Sequence, residues 1–133
     1  MIIGIGTDIA KVDRLAKMLV SRHADAFLRR VLTDDERARA DAIGSSARLA
    51  EYVAGRWAVK EAVSKALGCG IGGAVGFRDI EVQPDAAGRP CCLLRASAWE
   101  RLGVDAVEPP VIHVSITHSD GLASAFAVVE RIK

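Results

Sequence analysis

The chain has 133 residues, 50% of them hydrophobic and 26% charged, with 18 Lys and Arg against 17 Asp and Glu. That length suits one domain over residues 1–133 with a real core and excludes a multidomain machine. The composition excludes a disordered or fibrous chain, and the formal net charge of +1 excludes a globally basic nucleic-acid binder.

Met1 to Asp8 has no basic leader before its apolar residues, and no run approaches the roughly eighteen apolar residues of a membrane span, so neither a signal peptide nor a membrane partner is expected. Cys69, Cys91 and Cys92 are odd in number and lack the spacing of a zinc site, which points to reduced thiols and a cytoplasmic protein.

Ile2 to Thr7 alternates Ile and Gly and reads as a strand whose glycines let something approach the backbone closely. From Ala10 onward, Val12, Leu15, Ala16 and Leu19 follow helical spacing, predicting an amphipathic helix that continues through Phe27, Leu28 and Val31. Its other face is basic. Lys11, Arg14, Lys17, Arg22, Arg29 and Arg30 stand against Asp13 and Asp25, a local +4 in a chain whose total is +1.

Thr33-Asp34-Asp35-Glu36 has the form of a capping box and opens a short helix to about Ile43, stopped by Gly44. Ser45 or Ser46 caps the next helix, Ala47 to Leu67, which ends at Gly68. Phe77 to Val82 and Cys91 to Arg95 read as a hairpin turned by Asp85-Ala86-Ala87-Gly88, and Ser97 as the cap of a short helix ending at Gly103. Val111 to Thr117 and Leu122 to Glu130 form a second hairpin across His118-Ser119-Asp120-Gly121. The class is α+β, with antiparallel sheet from hairpins packed on one long central helix. Both faces of the last strand are largely apolar, so both call for a cover, one of them suited to a partner subunit.

Glu61 shares a helical stripe with Ala54, Trp57, Ala58 and Lys65, placing a carboxylate on an otherwise apolar face. It either pairs with Lys65 at i, i+4 or serves a metal or catalytic role. Asp8, at the end of the first strand, either caps the following helix or joins Glu61 as a ligand for a hard cation such as magnesium. Gly68-Cys69-Gly70-Ile71-Gly72-Gly73 is either a flexible turn or a phosphate cradle flanked by Lys60 and Lys65. His113, Ser115 and Thr117 share a strand face with His118 at its end; without a nucleophile elbow they suit polar binding contacts better than a hydrolytic triad. His23 reads as solvated.

Three segments in order carry a resemblance: Gly4-Ile5-Gly6-Thr7-Asp8-Ile9; Ala54 to Gly68, with Trp57-Ala58-Val59-Lys60-Glu61-Ala62-Val63-Ser64-Lys65 at its centre; and His113-Val114-Ser115-Ile116-Thr117-His118-Ser119. The chain resembles the holo-acyl-carrier-protein synthases, the short 4′-phosphopantetheinyl transferases, from end to end. The resemblance implies transfer of phosphopantetheine from coenzyme A to a serine of apo acyl carrier protein in fatty acid biosynthesis, with magnesium required. It implies Asp8 and Glu61 as metal ligands and places Asp8 in the cofactor region with Arg56, Lys60, Lys65, Gly68 and Gly70. His118 matches a histidine at the cofactor site, which makes Glu61, Lys65 and His118 the catalytic candidates. The implied assembly is a homotrimer with active sites between subunits. Trp57, Cys69 and Arg37 depart from the expected Phe, Thr and apolar residue.

With an acidic carrier as partner, the basic segment becomes a docking face, with Arg14 nearest the metal and Arg22, Arg29 and Arg30 farther along. Two other readings use parts of the same residues. A magnesium-dependent hydrolase of a coenzyme A-like pyrophosphate would not need the basic helix, and an adaptor for an acidic protein would not need Glu61.

Overall fold

A computed structural model describes residues 1–132. Strand β1, Ile2–Lys11, is followed by three eight-residue helices, α1 (Val12–Leu19), α2 (Ala24–Val31) and α3 (Asp34–Asp41), and then by the long helix α4, Ser46–Ala66. A 3-10 turn at Phe77–Asp79 leads into β2 (Ile80–Pro84) and β3 (Pro90–Leu94); α5 (Ala96–Arg101), β4 (Val111–Ser119) and β5 (Leu122–Glu130) complete the chain.

The strands form two antiparallel sheets, one in the order β1-β5-β4 and the other the hairpin β2-β3. Helix α4 lies across one face of the larger sheet and touches all three of its strands. Close packing is possible because the facing residues are small. Ala123, Ala125, Ala127 and Val129 of β5 and Ala54, Ala58 and Ala62 of α4 are fully buried. On β1 even alanine would be too large: a Cβ built on Gly4 falls 1.8 Å from the Ala66 carbonyl oxygen, and one on Gly6 falls 1.9 Å from that of Ala62. The backbone that the strand glycines admit is therefore the helix.

The opposite sheet face is uncovered, with Ile5 and Ile9 65% exposed and Phe126 56% exposed. One face of the last strand thus has its cover within the chain and the other does not.

Local signals set several boundaries as expected. Thr33 and Glu36 make the reciprocal capping box, and the Ser45 hydroxyl accepts from the Arg48 amide at the start of α4. The β4–β5 turn tightens onto Asp120 and Gly121, both at positive φ (52° and 73°), the geometry favoured in two-residue hairpins.

Elsewhere the elements differ from the sequence reading. β1 runs through Lys11 because its pairing with β5 continues to Lys11 opposite Leu122, so no helix starts at Ala10. The basic segment is two helices. The Ser21 hydroxyl bonds to the Met18 carbonyl and accepts from the His23 amide, a local side-chain competition that ends α1. Phe77–Asp79 is a 3-10 turn rather than strand, with the Asp79 carboxylate accepting from the Gly76 amide. Ser97 lies inside the first turn of α5 and caps nothing; Arg95 holds the cap position.

Candidate functional site

Asp8 sits within β1, opposite Ala125, on the strand face that Gly6 and Ala10 turn toward α4. It is not a helix cap, since β1 continues for three residues beyond it. Lys65, on the last turn of α4, reaches across the seam: its ammonium donates to the Asp8 carboxylate at 3.1 Å and to the Thr7 carbonyl at 3.0 Å. The i, i+4 pairing of Lys65 with Glu61 is therefore replaced by a bond between helix and strand. Glu61 lies one turn earlier on the same stripe. Burial holds its carboxyl above the ordinary glutamate range, the Asp8 carboxylate pushes it further up, and Lys65 opposes them.

Two carboxylates beside one ammonium leave a net negative charge at the seam, which adds to burial in raising the proton affinity of Glu61. Among the described residues no third His, Cys, Asp or Glu completes a cluster around them. The donor set fits magnesium, which binds through one or two carboxylates and fills its remaining positions with water and substrate phosphate.

The other candidates fall elsewhere. Lys60 is wholly buried, so the reading of its ammonium as a coenzyme A contact is wrong. Its Nζ binds the Glu36 carboxylate at 2.5 Å and the carbonyls of Val31 and Phe77 at 2.8 and 3.1 Å. The glycine-rich loop offers no phosphate cradle at Gly68 or Gly70 either. The Gly68 amide bonds to the Lys65 carbonyl, and those of Cys69 and Gly70 to the Ser64 carbonyl, closing the end of α4. The positive φ of Gly68 and Gly70, 77° and 67°, accounts for glycine there.

Arg56 lies about 140° round the helix from Glu61. Its guanidinium stacks over the Tyr52 ring at 4.5 Å, and its buried Nε has no hydrogen-bond partner. His118 packs against Gly55, and its Nε2 bonds to the Glu51 carbonyl at 2.8 Å, ten residues and about 15 Å of helix rise upstream of Glu61. Within one chain, then, Asp8, Glu61 and Lys65 come together, and Arg56 and His118 do not join them. His113 bonds to Glu130 on the uncovered sheet face.

Beside the seam is a pocket of about 370 Å³ lined by Ile9, Lys11, Arg14, Met18, Phe27 and Trp57. Phe27, Trp57 and Phe77 stack in succession, at 5.8 and 4.8 Å between centroids, with the Arg30 guanidinium 5.9 Å from the Phe77 ring centre. Of the basic residues, Lys11, Arg14 and Arg30 border this apolar surface. Arg29 is engaged by Asp25, and Arg22 bonds to His23. The aromatic row escaped the sequence reading because its members come from three elements; their only local signal was Trp57 on the Glu61 stripe.

Fold and site together define a class: a small α+β domain whose long helix presents Glu61 and Lys65 at its seam with a glycine-bearing strand that carries Asp8. A family model for the 4′-phosphopantetheinyl transferase superfamily matches residues 4–127, and the chain belongs to that superfamily. It is 42% identical to a holo-[acyl-carrier-protein] synthase of Anoxybacillus flavithermus over 99% of this chain and 98% of that one. Its identity to the synthase of Bacillus cereus is 43%, over 99% and 98%. Among solved structures, the Bacillus anthracis synthase in complex with CoA (3′,5′-ADP) superposes with a TM-score of 0.80 at 43% identity, covering 98% and 97%. The Neisseria meningitidis synthase superposes with a TM-score of 0.82 at 34% identity, covering 98% and 100%.

Proposed function

We propose that this chain is a holo-acyl-carrier-protein synthase, which transfers 4′-phosphopantetheine from coenzyme A to a serine hydroxyl of an apo acyl carrier protein. One observation carries the reading: the Asp8, Glu61 and Lys65 seam lies in a chain 43% identical, nearly end to end, to a synthase solved with coenzyme A. In the reaction the serine oxygen bonds to the phosphorus bearing the pantetheine arm, and the bond from that phosphorus to the oxygen of adenosine 3′,5′-bisphosphate breaks. Charge neutralisation and alignment supply most of the catalysis in such a transfer.

Asp8 and Glu61 would hold magnesium, which when bound neutralises pyrophosphate oxygens. Lys65, fixed on the Thr7 carbonyl yet about half exposed, donates to the leaving phosphate oxygen as its charge develops. The serine proton goes either to Glu61 or to a water held at the same site. Arg14, lining the pocket, and Arg30, beside the aromatic row, form the docking face for an acidic carrier, with Arg22 and Arg29 adding diffuse attraction.

The uncovered face of the sheet, with Ile5, Ile9 and Phe126, is read as the contact between three copies, and Arg56 and His118 as groups one copy lends to the seam of the next. A cytoplasmic setting and a place in fatty acid biosynthesis belong to the same reading. Phe126→Arg should therefore convert the assembly to single chains in light scattering and reduce transfer together with it; an unchanged mass would remove the trimer. Transfer itself is tested by incubating the protein with coenzyme A, magnesium and apo carrier, then weighing the carrier. The expected result is the gain of one phosphopantetheine group. Release of nucleotide from coenzyme A with an unmodified carrier would indicate the hydrolase instead, and carrier binding without turnover the adaptor.

A further inference from the structure

The buried pair of Glu36 and Lys60 joins four separate segments. The three donors of the Lys60 ammonium go to Glu36, to the Val31 carbonyl at the end of α2, and to the Phe77 carbonyl ahead of β2. Both Glu36 oxygens are also occupied, Oε1 by the Thr33 amide and Oε2 by the Val82 amide, each at 2.8 Å. A charge pair buried to 0% exposure seldom stabilises a fold better than apolar residues of the same shape. What this one supplies is geometric uniqueness.

The element most in need of it is α2. Eight residues are too few for a helix to persist alone, and its last carbonyls lack intrahelical partners. Two cations take those carbonyls. Lys60 binds Val31 from below, while Arg78 Nη1 donates to Arg29 and Leu32 at 3.1 and 2.9 Å from the surface. Both sit at the negative end of the helix dipole. Phe27, Arg29 and Arg30 ride on this helix, and Phe27 and Arg30 border the pocket and the aromatic row. Lys60 also immediately precedes Glu61 on α4, so the bond that fastens α2 starts beside the residue assigned to the chemistry.

We infer that Glu36 and Lys60, assisted by Arg78, are positioning residues: they hold the basic and aromatic face of α2 at a fixed place relative to the Asp8 and Glu61 seam, and so set how the carrier protein docks. This rests on the transferase reading and concerns the carrier half of the reaction only.

The test measures Michaelis constants for carrier and coenzyme A separately, with amide hydrogen exchange over residues 27–32, in Glu36→Gln/Lys60→Met and in Arg78→Met. The double variant removes both charges together, and the half-exposed Arg78 allows a folded variant if the double variant does not fold. The carrier constant should rise roughly two- to thirtyfold, the range for side chains that act without touching substrate. Exchange over residues 27–32 should quicken in the same variants, and the constant for coenzyme A should stay within about twofold. Arg78→Lys, which keeps a donor for the α2 carbonyls, should restore part of both. Parent carrier constants in the folded variants, equal changes for both substrates, or a raised carrier constant with unaltered exchange would each overturn the proposal. Arg14→Glu, run alongside, separates this failure from that of the docking reading. If it raises the carrier constant while the positioning variants do not, docking stands and positioning fails. If it changes nothing, the basic docking face fails and the inference with it.

Discussion

Lys60 and Glu61 are neighbours on one helix, yet they serve opposite kinds of charge cluster. Lys60 and Glu36 are fully buried, and every donor and acceptor of their two side chains has a partner. At the seam, Asp8 is 17% and Lys65 52% exposed, and two carboxylates share one ammonium. A complete network holds a fold in one arrangement, whereas an incomplete one at the surface is ready for a further ligand. One helical step separates them.

The contrast is broken most forcefully in the core. Lys60→Met or Glu36→Gln alone strands a buried group and should cost about 3–5 kcal/mol in urea unfolding, while the double variant should lose less than the two singles together. A strictly additive result would mean that the pair is not coupled. At the seam the effect should move from stability to turnover. Asp8→Asn should lower the transfer rate by roughly 10²- to 10³-fold, the range for removing one group that stabilises transition-state charge, and should shift the magnesium dependence to higher concentration with little change in unfolding. Lys65→Met keeps the apolar stem and deletes the donor, so turnover with coenzyme A should fall by about one to two orders of magnitude, the size of a lost charge-assisted bond. A lower melting temperature with parent kinetics would return Lys65 to a purely structural role.

The smallest effect is the sign of a pH dependence. Because the carboxyl of Glu61 is raised in the folded protein, the native state binds more protons than the unfolded chain between the ordinary glutamate value and the raised one. The stability contributed by its protonation is present below the ordinary value and is lost as pH rises through the raised one. Without magnesium, Glu61→Gln should flatten that decline, and at neutral pH the variant should be at least as stable as the parent. A Glu61→Gln variant less stable than the parent at neutral pH would contradict a strained, uncompensated carboxylate.

Why the two clusters differed in legibility follows from the same contrast. Asp8 and Glu61 were legible as candidates because a carboxylate on an apolar stripe and an acid in a glycine-bearing strand are visible within a few residues of sequence, whereas the bond of Lys65 to Asp8, 57 positions away, was not. The Thr33 capping box, the Ser45 cap and the Asp120-Gly121 turn were local in the same way. Lys60 was misread because its partner is 24 positions away on α3, and nothing adjacent in the chain distinguishes a core lysine from one that meets phosphate. Between a turn and a phosphate cradle the sequence could not choose for the amides of Gly68 and Gly70, since their acceptors become apparent only once α4 is seen to close on its own carbonyls. Ser21 did carry a local stop signal for α1, outweighed by helical spacing that continued beyond it.

The central claim is that this chain modifies a carrier protein through the acidic seam of β1 and α4. Its most direct test is the intact mass of an apo carrier after incubation with coenzyme A and magnesium, using equal folded concentrations of the parent and of Glu61→Gln. The account expects one phosphopantetheine on each carrier with the parent, matched by an equal amount of released adenosine 3′,5′-bisphosphate, and an essentially unmodified carrier with Glu61→Gln over the same time. A carrier left unmodified by the parent, or modified at the parent rate by Glu61→Gln, would contradict it.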